Sequence, residues 1–110
     1  MATLRNTTIG TLDLIAHYEC NLSRLSEQGR KYALITEFLP SVYSAADKIA
    51  MGIKLATNGH NKIKVKVDGR VVWVWLVHPG DEKFDNADAR LELYSWNQLP
   101  KKQIYGGGST

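Results

Sequence analysis

Lysine and tryptophan residues in the second half of the chain have a spacing that could create a binding surface. Lys62, Lys64 and Lys66 occupy alternate positions, and Trp73 and Trp75 follow a few residues later. Lysine ammoniums attract phosphates and carboxylates, while exposed indole rings stack on bases or fill apolar pockets of a protein partner. These five residues are therefore the first candidates for a functional site.

The charge of the chain is concentrated around these candidates. The net charge is +3, from 14 Lys and Arg and 11 Asp and Glu in 110 residues. Residues 61–80 contain four basic residues and one acidic residue, an excess equal to that of the whole chain. Because the total charge is mild, its distribution matters more than its size, and any electrostatic function is expected in this segment.

The residues that usually carry catalysis or bind metals are not arranged for either task. His17, His60 and His78 are far apart in sequence, and Cys20 is the single cysteine, expected to be a buried thiol within a helix. No phosphate-binding glycine motif or nucleophile elbow is present. The acidic segment 81–88 lacks the spacing of an EF-hand and is expected to form turns and cap a short helix. We therefore predict a non-enzymatic protein with no catalytic residue, no metal and no cofactor.

Length and composition indicate one small domain. Of the residues, 44% are hydrophobic and 23% charged, which is ordinary for a globular chain. We predict a single domain over residues 1–105 and a flexible tail over the glycine-rich residues 106–110. No apolar run approaches the roughly 18 residues that a membrane-spanning helix needs, the start does not resemble a signal peptide, and a lone cysteine suits a reducing compartment. The predicted location is therefore cytoplasmic, with no membrane partner.

Apolar residues in the first half recur at intervals of three and four, which is typical of amphipathic helices. The first helix begins near Thr11 and presents an apolar face of Leu14, Ile15, Tyr18, Leu22 and Leu25. The pattern continues to Leu39, so residues 11–39 form one helix or two. A further helix is predicted from about Ser41, ending at Asn58–Gly59. Its apolar side comprises Val42, Ala45, Ala46, Ile49, Ile53 and Ala56.

A β-hairpin is predicted over residues 61–77. Polar and apolar residues alternate from 61 to 67, and Asp68–Gly69 is a strong signal for a two-residue turn. This turn places Val65 opposite Val72 and Ile63 opposite Val74, giving an aliphatic face suited to receive helices. The lysines then lie on the reverse face, with Lys64 opposite Trp73 and Lys62 opposite Trp75.

Residues 90–96 are predicted to form another strand, with Leu91 and Leu93 on the aliphatic side. The fold class is therefore α+β, with the N-terminal helices on one face of a C-terminal antiparallel sheet of three or more strands. This arrangement gives a basic and aromatic face for partner binding. Its predicted residues are Lys62, Lys64, Lys66, Arg70, Trp73, Trp75, Arg90, Tyr94 and Trp96.

Three interpretations of this face follow from its composition. It could be covered, either by a tail containing Leu99, Ile104 and Tyr105 or by a second copy in a homodimer. It could bind nucleic acid, with basic side chains on phosphates and rings stacked on bases, although no RNP or KH signature is present. It could also bind protein, as would suit a small inhibitor of a host protein or defence complex carried by a virus or mobile element. The prediction is a binding domain, with nucleic acid or a protein as the partner.

Overall fold

The computed structural model describes residues 11–99, which confirm the predicted α+β class. Three helices and three strands lie in that range, together with a 3-10 helix, Ile35–Phe38. The helices are α1 (Thr11–Glu27), α2 (Ala45–Thr57) and α3 (Asn86–Ser95), and the strands are β1 (Tyr32–Ala33), β2 (Lys62–Val67) and β3 (Arg70–Leu76). The strands form an antiparallel sheet in the order β1-β3-β2. The predicted tail, 106–110, lies outside the described residues.

The β2–β3 hairpin has the predicted register throughout. Val67 pairs with Arg70, and the pairing continues without a bulge to Lys62 and Trp75. The turn requires positive φ at both central positions, and Asp68 and Gly69 adopt 51° and 80°. The local turn chemistry therefore fixes which side chains share a face.

The predicted apolar face of α1 is also confirmed. Tyr18 and Leu25 are buried in the core, and Leu14 and Leu22 pack against it. The helix ends at Glu27, and Gly29 just beyond it has a φ of 71° that lets the following amide, that of Arg30, donate to the carbonyl of Leu25 at 3.0 Å. By contrast, Cys20 is exposed on α1, so the expectation of a buried thiol is wrong.

Residues 28–39 do not continue the helix, which corrects the prediction for this segment. Tyr32 and Ala33 form β1 and pair with Leu76 and Trp75 of β3. Their side chains are completely buried on opposite sides of the sheet. The helical spacing of apolar residues in this segment therefore does not predict its structure. That spacing reflects only neighbouring residues, whereas pairing with β3 and burial on both sides of the sheet depend on distant ones.

The predicted helix α2 is present, but it begins at Ala45 and not near Ser41, and its buried side is different. Ser44 caps it, since its side chain accepts a hydrogen bond from the Asp47 amide while the Asp47 carboxylate accepts one from the Ser44 amide. Met51 and Leu55 are fully buried, whereas Ile49 and Ile53 are exposed. The expected apolar side, including Val42, Ala45, Ala46 and Ala56, therefore faces away from the core.

Residues 90–96 belong to helix α3 and its C-terminal cap, so the predicted strand is wrong. Asp85 caps the helix by accepting a hydrogen bond from the Asp88 amide at 3.1 Å, as expected of the acidic segment. Ala89 and Leu93, four residues apart, are completely buried, whereas Leu91 is exposed. A helical spacing therefore governs burial here, and the short alternation that suggested a strand was misleading.

Helices cover the sheet on both sides. Ala89 and Leu93 of α3, with Leu99, pack on the aliphatic face of the hairpin. Helices α1 and α2 pack on the other side, in one cluster with Trp75 and Val77. The expectation that the N-terminal helices cover the aliphatic face is therefore wrong, because α3 occupies it. Within residues 11–99, no helix combines the length and the apolar character that a membrane span requires.

Candidate binding surface

Strand β2 displays three lysines at the edge of the sheet. Lys62, Lys64 and Lys66, which we call the lysine row, are exposed and alternate with buried aliphatic residues of the same strand. Successive side chains of a strand point to opposite faces, so the three lysine side chains share one face, with Cα atoms about 6.6 Å apart along the strand. The two ion pairs that the structure places within residues 11–99 join Arg30 to Glu37 and to Glu92, and neither involves Lys62 or Lys64.

Trp73 lies on the same face as the lysine row and remains accessible. Its side chain is 47% exposed, and Val71 beside it is 50% exposed. The Lys62 and Lys64 ammoniums are 4.6 and 5.5 Å from its ring centroid. These are cation–π distances, worth about 0.5–1 kcal/mol at an exposed site. The result is an apolar patch bordered by positive charge.

Trp75 lies on this face as well, but α2 covers it. Its exposure is only 6%, and it belongs to the core formed with α1 and α2. Gly52 of α2 passes directly over the indole, since a Cβ at that position would be 3.9 Å from Cζ2 of Trp75. The expectation that Trp75 is exposed is therefore wrong.

Arg90 and Tyr94 are on α3, which covers the opposite side of the sheet from the lysine row. Tyr94 is partly buried against the aliphatic core. Arg90 reaches the edge of β2, where its guanidinium donates to the carbonyl of Lys66 at 3.2 Å. Neither side chain joins Trp73, because residues 90–96 are not a strand of the same sheet.

Trp96 and Arg70 also lie away from the lysine row. Trp96 is the C-terminal cap of α3, and the Arg30 guanidinium carbon is 5.1 Å from its ring centroid. Arg70 is exposed but shares the aliphatic side of β3, as its pairing with Val67 requires. Of the nine predicted residues, the structure groups four around one exposed patch: Lys62, Lys64, Lys66 and Trp73.

A shallow cavity of about 280 Å³ opens beside Trp73. Its lining is mainly apolar, with one lysine, and it adjoins the part of β3 that lies beyond the end of β1. The lining residues are Leu34, Ile35, Thr36, Lys48, Val72 and Trp73. Sequence patterns do not reveal this cavity, because it combines residues from β3, α2 and the segment after β1, and no short motif connects them.

Arg30 forms a buried ion-pair hub that sequence reasoning also missed. Its guanidinium contacts both oxygens of Glu37 at 2.7 and 3.0 Å and one oxygen of Glu92 at 3.1 Å. The same Glu92 oxygen accepts hydrogen bonds from the amides of Lys31 and Tyr32. A strand over residues 90–96 would have placed Glu92 on the binding face, opposite to Leu91 and Leu93, but in the structure its carboxylate holds β1.

His60 is buried, and both of its ring nitrogens are hydrogen-bonded. Its Nδ1 donates to the carbonyl of Leu76 at 3.0 Å, and its Nε2, 2.8 Å from the Tyr18 hydroxyl, accepts from it. Burial lowers the pKa of His60 below its ordinary value of 6.5; the bond to Leu76 opposes this, and the nearby His78 adds to it. No group of three or more potential metal ligands occurs among the residues that the structure describes.

A comparison with protein-family models, curated proteins and solved structures finds no significant match to this chain.

Proposed function

We propose that this protein is a non-enzymatic binding domain that recognises an acidic protein partner through the lysine row and Trp73. The observation that carries the proposal is the half-exposed Trp73 ring beneath two ammoniums, Lys62 and Lys64, that take part in neither ion pair within residues 11–99. An exposed indole is typical of the residues that dominate binding at the centre of a protein interface, and charged side chains such as these lysines are typical of its rim. A carboxylate from the partner would give these ammoniums a counter-charge.

The number of accessible rings favours a protein over nucleic acid. Proteins that bind single strands stack successive bases on several aromatic side chains and follow the backbone with positive charge. The lysine row could follow a nucleic-acid backbone. However, the Trp75 ring is buried, and Tyr94 and Trp96 are on α3 and its cap, so none of these rings joins Trp73 in a stacking platform. The apolar cavity next to Trp73 is a feature that a protein segment can fill and a phosphate backbone cannot.

Selection of random twelve-residue peptides displayed on phage, with the purified protein as target, tests the proposal. We expect enriched peptides that combine acidic and aliphatic residues. Synthetic copies should lose at least about tenfold in affinity with the Lys64→Glu variant, since a like charge then replaces an attractive one. The matched control is Lys83→Glu, which makes the same charge change on an exposed residue of the loop before α3 and should leave affinity unchanged.

A second variant isolates the indole. Trp73→Ala should weaken the selected peptides by a similar factor while the protein stays folded, as checked by urea denaturation. Trp75→Ala is unsuitable for this purpose because removal of a buried tryptophan costs about 3–5 kcal/mol of stability. If a 20-nucleotide oligothymidine binds more tightly than any peptide and loses affinity steeply with salt, nucleic acid is the partner and the proposal is wrong.

A further inference from the structure

Within residues 11–99, the central strand β3 has backbone groups next to Trp73 that pair with no other strand. The Leu76 amide donates to Asn61 on the β2 side, whereas the Val77 amide donates to Lys31 on the β1 side. Because these directions alternate along an antiparallel strand, the amides and carbonyls of Val71 and Trp73 also point to the β1 side. Strand β1 pairs only with Trp75 and Leu76, so Val71 and Trp73 have no strand partner there within residues 11–99.

The 3-10 helix Ile35–Phe38, which Glu37 stabilises, ends β1 after two residues, because it carries Ile35, the next residue in register with Trp73, out of the strand. The Glu37 carboxylate accepts a hydrogen bond from the Leu34 amide at 2.8 Å, and the Glu37 amide donates to the Leu34 carbonyl at 2.9 Å. Both backbone groups of Leu34 are thereby used in a local turn. The chain leaves the sheet at this point, and the cavity described above lies between it and β3. The gap is therefore built into the fold by a specific hydrogen-bond pattern.

The side chains around the gap differ on the two sides of the sheet. Leu34 and Val72 pack against the aliphatic core on one side. On the other side, Lys48 joins Trp73 in lining the cavity, and Lys64 lies over the Trp73 ring. A strand that entered the gap would alternate its side chains between these two environments. Aliphatic residues suit the first environment and acidic residues suit the second.

We propose that the gap receives an extended segment of another protein, with alternating acidic and aliphatic residues, as an added strand on β3. This inference rests on the proposed function and specifies how the acidic partner is recognised. Backbone hydrogen bonds to Val71 and Trp73 supply affinity, and the alternating side chains supply specificity. Charge complementarity selects the occupant, because Lys48 lines the gap and the Lys64 ammonium lies over the adjoining Trp73 ring.

A second copy of this chain fits the gap less well. Its own alternating strand, β2, carries Lys62, Lys64 and Lys66 where the gap calls for acidic residues. Two lysine-bearing surfaces would repel each other at close range. The complementary pattern has carboxylates in place of the lysines, which again points to a different protein.

Amide hydrogen exchange of the free protein tests the gap without any partner. The Val71 and Trp73 amides should exchange rapidly, and the Val72 and Val74 amides, which point to β2, should be protected. Protection of Val71 and Trp73 in the free monomer would mean that another part of the chain already occupies the gap, and the inference would be wrong. The lysine row and Trp73 could still bind a partner in that case, so the proposed function is tested separately.

N-methylation of a selected peptide, one residue at a time, tests strand addition directly. Methylation removes a backbone donor, so alternate positions should lose at least about tenfold in affinity and the intervening positions should change by no more than about twofold. Bound peptide should also protect the Val71 and Trp73 amides. If no N-methyl position matters while Trp73→Ala and Lys64→Glu still abolish binding, side chains alone hold the peptide. That result overturns strand addition and leaves the proposed function standing.

Discussion

At the scale of single residues, position relative to the helical layer decides what each side chain can do. Trp73 and Trp75 are two residues apart on the same face of β3, and the exposed fractions are 47% and 6%. The difference arises because Gly52 brings α2 over Trp75 and the helical layer leaves Trp73 half-exposed. One ring therefore belongs to the core, and the other is available to a partner.

His60 is the residue whose protonation should couple to folding. Its neutral form satisfies both ring nitrogens, with Nδ1 donating to Leu76 and Nε2 accepting from Tyr18. A proton on Nε2 would remove that acceptor in a buried site, next to the rings of Tyr18 and Phe38. Burial accordingly lowers the pKa of His60 in the folded state relative to the unfolded state.

This shift predicts that acid destabilises the protein. Below about pH 6.5 the unfolded state binds a proton at His60 that the folded state resists, so the stabilising contribution falls as the pH drops through the folded-state pKa. The melting temperature should therefore decrease between pH 7 and pH 5, as measured by circular dichroism. His60→Asn should flatten this dependence and His78→Asn should retain it. An equally steep decrease in His60→Asn would assign the effect to other groups.

At the scale of secondary structure elements, β1 depends on side chains from outside the sheet. A two-residue strand makes few ladder hydrogen bonds, and Arg30 and Glu92 supply the rest on its outer edge. Glu92 accepts from the Tyr32 amide, and Arg30 donates to the Tyr32 carbonyl at 2.9 Å. The ion pair thus takes the place of a further strand and attaches α3 and Glu37 to β1.

Arg30→Met should therefore destabilise the protein strongly. The substitution leaves the carboxylates of Glu37 and Glu92 without their common partner in a largely buried site, which typically costs about 3–5 kcal/mol. Arg24→Met is the matched control, because Arg24 is exposed and should cost less than about 1 kcal/mol. Urea denaturation measures both values. Similar stability of the two variants would show that the Arg30 hub is not a major support of β1.

At the scale of the whole molecule, the three-stranded sheet has two edges with different protection. The β1 edge is covered by the Arg30 and Glu92 side chains. Among residues 11–99, the β2 edge is protected by the Arg90 guanidinium, which donates to the carbonyl of Lys66, and by the lysine row. Lysine on an edge strand discourages pairing with another sheet, because two such edges repel each other.

Removal of these charges should promote self-association. The triple variant Lys62→Thr, Lys64→Thr and Lys66→Thr keeps residues that favour strands but removes the charge repulsion between two β2 edges. We therefore expect it to form dimers or larger assemblies to a greater extent than the parent protein at the same concentration. Sedimentation velocity measures this difference. The control is Lys48→Thr, which removes one charge from α2 and leaves the edge unchanged. An unaltered sedimentation coefficient in the triple variant would contradict a protective role for the lysine row.

The sequence by itself determined the features that depend on local chemistry. The hairpin register follows from the positive φ that Asp68–Gly69 accepts, and the apolar face of α1 follows from helical spacing. The α+β class follows from helical patterns that precede alternating ones. Of the candidate surface, the lysine row and Trp73 were predicted together for the same reason, since the turn alone places them on one face.

Only the tertiary structure decided which surfaces are covered and by which elements. Because residues 86–95 form helix α3 and not a strand, Arg90, Tyr94 and Trp96 do not lie on the face of the lysine row. Trp75 does lie on that face, but α2 buries it. These outcomes depend on contacts between residues distant in the chain, such as Arg30 with Glu92, which local periodicity does not encode. The gap beside β3 has the same origin, because it exists where the 3-10 helix turns the chain away before a third full strand can form.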